Sequence, residues 1–253
     1  MKMKNEKVKD EEAKKQQITK IKAAKDRKRG RPNFNRNEPL RVEKKEFLII
    51  CEGKNTEPSY FDNFKLSTAT IKTVGEGYNT FSLVERAIQI REMESKNGKN
   101  FDFVWCVFDA DPKPDNPQQL TNFVNALKLA HDNSINVAYS NQAFEYWLIL
   151  HFEDHQGGAM DRKDYYDKVN SYLKPLGCYY DGKSSKKIEI DFFEHLLTIV
   201  EYTYDNRPIN RQEKAITRAK RNFNLHEENG LSPEKAESST TVFKLVEELL
   251  KYL

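Results

Sequence analysis

Four carboxylates in two short groups carry the chemistry open to this sequence. Glu52 and Glu57 bracket the string E-G-K-N-T-E directly after one apolar run, and Asp109 and Asp111 flank Ala110 at the end of another. In an extended chain, Asp109 and Asp111 project to the same side, so the pair can grip one hard cation through oxygen ligands. Four acids brought together repel unless a divalent ion neutralises them, and oxygen-only donors select Mg²⁺ or Mn²⁺. One or two such ions can activate a water and steady the leaving oxygen of a phosphodiester. A lone D-x-D after a strand is an ordinary surface feature. The added E-G-x-x-x-E is what makes the joint signal specific.

That chemistry needs both groups at one edge of one sheet. EFLIIC at 46–51 is a short, nearly continuous apolar run, as expected of a strand buried on both faces of a parallel sheet. Pro58 suits the first turn of a helix continuing to about Leu66, and a second strand is predicted at 69–74. Thr80 to Met93 carries apolar residues at helical spacing, with Asn79 or Thr80 placed to cap it. FDFVWCVFDAD at 101–111 is the third strand, followed by a helix from Pro117 to Asn133, a fourth strand at 136–140 and an apolar helix at 143–152. Strictly alternating strands and helices imply a parallel, three-layer α/β sheet, and ligands of such sheets bind beyond the carboxyl ends of the strands. Glu52 enters that edge from one strand and the aspartates from another. Beyond residue 155 the segments 162–174, 188–204, 212–226 and 240–253 read as helices, so a mostly helical portion at 156–253 is expected to pack on the sheet domain at 46–155.

The chain has 253 residues, 38% hydrophobic and 32% charged, with a net charge of +3, and its mean hydropathy of -0.83 is pulled down by residues 1–45. This stretch is rich in Lys and Arg without apolar periodicity and reads as a mobile or partly helical basic arm. Such an arm suits a polyanion such as nucleic acid, and it equally suits a solvated tail. RKRGRP at 27–32 is too short a basic string to decide. Cys51, Cys106 and Cys178 stand far apart, and the first two sit in apolar runs, which favours buried reduced thiols over disulfides or a zinc site. No run approaches the ~20 apolar residues of a membrane span and no apolar signal core is visible, so a cytoplasmic protein without a membrane partner is expected.

CEGKNTEPSYF at 51–61, VFDADP at 107–112, SNQAFEYWLILHF at 140–152 and SSTTVFKLVEELL at 238–250 resemble, in order and spacing, the RloB-like proteins. The resemblance covers nearly the whole chain after the arm. It implies a Toprim-like, Rossmann-like domain related to the nuclease part of OLD-type proteins, in which a Glu after the first strand and a D-x-D after the third bind Mg²⁺. Glu52 would then be the Toprim glutamate, a ligand or general acid/base, Glu57 the second glutamate of the nuclease pattern, and Asp109 with Asp111 the D-x-D pair. The same resemblance implies antiphage or abortive-infection defence, commonly beside an ABC- or SMC-like ATPase.

Other residues admit a functional and a structural reading. Glu145, just past the fourth strand, can face the metal or serve as a first-turn acid, and Asn141 can contact substrate or cap that helix. Lys54 and Asn55 can touch a phosphate or make a polar turn. Trp147, Leu148 and Leu150 read as core, and His151 has no visible ligand partner. KSSKK at 183–187 and Arg211, Lys214, Arg218 and Arg221, at helical spacing, offer two basic tracks for a nucleic-acid backbone or two solvated faces. Ser239, Thr240 and Thr241 read as a cap for the last helix.

The sequence therefore predicts a Mg²⁺- or Mn²⁺-dependent nuclease acting on RNA such as tRNA, or on DNA, with an ATPase partner and possible self-association. Primase-like transfer would bring a zinc module and template channel, and topoisomerase chemistry a far longer chain. A catalytically silent docking subunit of an ATPase complex is the alternative, though a scaffold has no need to keep mutually repelling acids.

Overall fold

The computed structural model describes residues 14–20, 22, 45–73, 80–112, 116–155, 160 and 162–253. Met1–Glu43 and Lys44–Leu253 are separate compact units. In the first, residues 14–20 are an exposed helix. The basic string at 27–32 lies outside the described residues.

In the second unit, β1 (Phe47–Cys51), β2 (Ala69–Thr73), β3 (Phe103–Asp109) and β4 (Asn136–Ser140) form a sheet in the order β2-β1-β3-β4. All its pairings are parallel, with Cys51 beside Val107 and Asp109 beside Ser140. The two central strands read correctly because β1 is apolar throughout and β3 is apolar up to its carboxyl end, as burial on both faces demands. Phe47, Ile49 and Cys51 face one core, and Leu48 and Ile50 face the other. The second core is closed by α2 (Thr80–Lys96) and α3 (Pro117–Asp132). The first is closed by α1 (Thr56–Asp62), α4 (Glu145–Leu150), α5 (Arg162–Leu173), α6 (Ile190–Leu196), α7 (Arg211–Glu228) and α8 (Val242–Leu250). The result is a Rossmann-like three-layer α/β fold whose helical C-terminal portion shares the sheet's own core.

One expected helix is a correction. Only Ile190–Leu196 of 188–204 is helical, and Ile199–Tyr202 (β5) turns back to pair antiparallel with Pro208–Asn210 (β6). Ile199, Val200 and Tyr202 are β-formers, and Asn206 takes the left-handed φ of 64° that the turn requires. The third strand also stops at Asp109, two residues short of the expectation. Among the described residues, no helix is long and apolar enough to cross a membrane.

α4 is sunk in the first core, with Trp147, Leu148 and Leu150 fully buried as core side chains. His151 follows, 2% exposed, its Nδ1–H bonded to the Trp147 carbonyl at 3.0 Å. Burial lowers its pKa from 6.5 to about 3. A depressed histidine pKa means that the unfolded chain takes up the proton first, so stability present above about pH 6.5 is lost as pH falls toward 3. Between pH 7 and 5 the loss attributable to this residue is about 2 kcal/mol. Urea unfolding at the two pH values should show it, and His151→Gln should remove most of that pH dependence.

Candidate functional site at the sheet's carboxyl edge

β1 leaves for β2 on one side while β3 leaves for β4 on the other, so the β1/β3 boundary is where the strand order reverses. At such a switch point the connecting loops part and leave a crevice beyond the strand ends. Glu52 and Asp109 stand on its two sides. The Glu52 amide extends the ladder by one bond to the Val107 carbonyl (2.9 Å), and the Ala110 amide does the same to Ser140 (2.9 Å). The Glu52 Oε2 atom accepts the Asp109 N–H at 3.3 Å, tying the two strand ends together through a carboxylate.

Glu57 lies in the first turn of α1, where the helix dipole favours an acid, and is 6% exposed. Gly53 is the reason that it fits. A Cβ at residue 53 would lie within 2.8 Å of Glu57 Cδ and closer still to Oε2. The glycine of E-G-x-x-x-E thus clears space for the second glutamate. Glu145, in the first turn of α4, accepts a hydrogen bond at Oε1 from the Tyr180 hydroxyl (2.8 Å). Tyr180 is fully buried and also pairs with Thr56 Oγ1 at 3.1 Å. Burial, then the Glu145 charge, pushes its hydroxyl pKa well up, so it stays a donor.

Glu52, Lys54, Asn55, Glu57, Asp109 and Glu145 all line one cavity of about 890 Å³. Asp109 is 7% exposed. The negative field is felt nearby. Burial first, and Glu57 second, raise the Cys51 thiol well above its ordinary value. Among the described residues, no three His, Cys, Asp or Glu side chains stand converged as a finished ligand cluster.

Asp111 departs from the expected geometry. It follows the strand with a left-handed φ of 41° and is outside the cavity wall, so the alternation that would aim it with Asp109 does not reach it. Asn141 is also elsewhere. Fully buried, it donates from Nδ2 to the Pro233 carbonyl (3.2 Å), while its amide bonds Ser239 (2.8 Å). The Ser-Ser-Thr-Thr segment does not cap α8 through its N-cap side chain: Thr241 Oγ1 accepts the Tyr139 amide at 2.9 Å instead, and Thr240 bridges Ser140, so the segment seals the free edge of β4.

The two basic tracks separate. Arg211, Lys214 and Arg218 line a different cavity, of about 450 Å³. There Arg211 bonds the His195 carbonyl (2.9 Å) and covers the Phe152 ring, Lys214 pairs with Glu201, and Arg218 bonds the Leu150 carbonyl (2.7 Å). Arg221 pairs with Asp154. Lys183, Ser184 and Lys186 instead line the carboxylate cavity, with Lys163, Asp164, Tyr166 and Asp167 of α5. Tyr180 and the α5 wall had no sequence signal beyond a D-G turn before the KSSKK string.

The sequence model of the RloB-like protein family matches residues 47–249. No curated protein and no solved structure matches the chain. Since the matched span runs from the first residue of β1 into α8 and takes in every carboxylate at this edge, the chain belongs to the RloB-like protein family.

Proposed function

We propose that this protein is a Toprim-type, Mg²⁺- or Mn²⁺-dependent nuclease that hydrolyses phosphodiester bonds of RNA or DNA as a defence effector beside an ABC- or SMC-like ATPase. Membership of the RloB-like family suggests a defence-related protein. The observation that carries the nuclease reading is the meeting of Glu52, Glu57, Asp109 and Glu145 around one cavity at the switch point of a parallel sheet.

The residues fit a hard divalent ion. Their donors are all oxygen, and the two buried carboxylates, Glu57 and Asp109, share one cavity with Glu52 and Glu145, a donor set that suits a hard cation. Glu52, Glu57 and Asp109 would hold it with Glu145, and ligation calls on the side-chain freedom of the half-buried Glu52 and Glu145. Asp111 stays in the proposed set on its D-x-D spacing, with a smaller expected effect than Asp109. Bound there, the ion would supply charge neutralisation at the scissile phosphate and a more acidic water. Glu52, whose Oε2 accepts the Asp109 amide, would serve as metal ligand or as general acid/base toward the attacking water. Tyr180 holds Glu145 to the cavity wall, and Lys54 on the rim offers a positive contact to phosphate.

Incubation of labelled tRNA, single-stranded DNA and duplex DNA with Mg²⁺, Mn²⁺ or EDTA should show cleavage of at least one substrate in metal and of none in EDTA. Inertness toward all three, even with the neighbouring ATPase added, would favour the docking-subunit alternative.

A further inference from the structure

The turn at 181–187, which lines the same cavity as the carboxylates, is braced from within and at both ends. Asp181 turns its side chain back on the turn it begins, accepting the amides of Lys183 (3.3 Å), Ser184 (3.0 Å) and Ser185 (3.1 Å). Those amides hold its carboxyl below the ordinary value. The Lys186 amide closes the turn on the Asp181 carbonyl at 2.8 Å. Gly182 has no room for a side chain, since a Cβ would meet the Tyr166 ring and lie 3.0 Å from Tyr180 Cε1. Both ends are anchored to the helix that carries Glu57. Tyr180 pairs with Thr56, and the Ile188 amide and carbonyl bond Ser59 Oγ (2.8 Å) and Asn63 Nδ2 (2.9 Å).

This anchoring fixes Lys183 and Lys186 in the wall of the cavity that the acids also line. Lys183 and Lys186 line the cavity, and neither forms an ion pair with a carboxylate among the described residues. Lys163, Asp164 and Asp167 of α5 line the same cavity. The α7 cations differ, because Lys214 and Arg221 are committed to ion pairs and Arg211 and Arg218 to backbone carbonyls.

We propose that the turn from Asp181 to Lys187 is the phosphate grip of this site, with Lys183 and Lys186 holding the sugar–phosphate backbone of the strand presented to the carboxylates. The proposal rests on the nuclease reading for the identity of its ligand. The grip recognises phosphodiester, common to RNA and DNA, and fixes the register of the strand without reading its bases.

Fluorescence anisotropy of the full chain with labelled single-stranded RNA and, separately, single-stranded DNA, in Ca²⁺ and over a salt series, tests it. Lys183→Ala/Lys186→Ala should weaken binding of the strand that the wild type prefers by on the order of tenfold. It should also flatten the log–log salt slope by about 1.4, two lysines at ~0.7 each. Lys183→Arg/Lys186→Arg should keep both, and Mn²⁺ affinity and the thermal midpoint should stay at wild-type values in both variants. An unchanged affinity and slope, or an equal loss in Arg211→Ala/Lys214→Ala, would overturn the grip. If the protein cuts nothing and the double alanine variant still loses binding with the flattened slope, the grip stands and only the nuclease reading falls.

Discussion

Glu57→Gln is expected to lower cleavage by about 10³-fold or more while leaving the metal-free protein folded and about 1 kcal/mol more stable. The shape of the side chain is retained, so the buried first turn of α1 keeps its packing. What changes is charge. Glu57 and Asp109 are 6% and 7% exposed on the same cavity as Glu52 and Glu145, and like charges in a poorly solvated place oppose each other. Removing one relieves part of that opposition in the absence of metal and removes a proposed ligand in its presence. Functional sites commonly trade stability for chemistry in this way. Thermal unfolding in EDTA and initial cleavage rates in Mn²⁺ check both halves together. A variant retaining a tenth of wild-type activity would exclude Glu57 from the reaction.

Gly53→Ala is expected to cost about 10²-fold in cleavage with a change in melting temperature of only a few degrees. The introduced methyl meets first the carboxylate of Glu57, the far end of a flexible side chain. The fold therefore accommodates it cheaply by moving that carboxylate. A displacement near 1 Å at a reacting group is enough for a loss of this size. Substrate affinity should hardly change, because the turn from Asp181 to Lys187, proposed above to grip phosphate, lies outside the loop that carries Gly53. A kcat loss at constant KM distinguishes a displaced carboxylate from a damaged fold, which would lower the active fraction and the melting temperature together.

The framework of this protein is legible because its central strands are buried on both faces. Phe47–Cys51 and Phe103–Asp109 admit no polar residue until their carboxyl ends, and in a parallel sheet those ends share an edge. The carboxylates therefore declare themselves twice, by type and by position. The alternation that would aim Asp111 with Asp109 does not carry that far, since period two holds only while the chain stays extended, and the strand ends at Asp109. Segment 188–204 misled for a related reason: apolar residues spaced for a helix also suit a hairpin when they are β-branched and aromatic. The rest of the cavity wall was out of reach for a different cause. Tyr180 meets Thr56 across 124 positions of sequence and Glu145 across 35, and nothing local marks a tyrosine as the partner of a distant carboxylate. KSSKK and the α7 cations looked alike as basic strings. Only tertiary structure shows that the first faces the acids while the second is engaged with its own neighbours.

Calorimetric titration of Mn²⁺ into the wild type, Glu52→Gln and Asp109→Asn tests the central claim most directly. The account predicts saturable binding to the wild type and its loss in both variants, each still folded by circular dichroism, with Asp111→Asn weakened less than Asp109→Asn. Absence of Mn²⁺ binding to the folded wild type, or binding that survives neutralisation of Glu52 and Asp109, would contradict it.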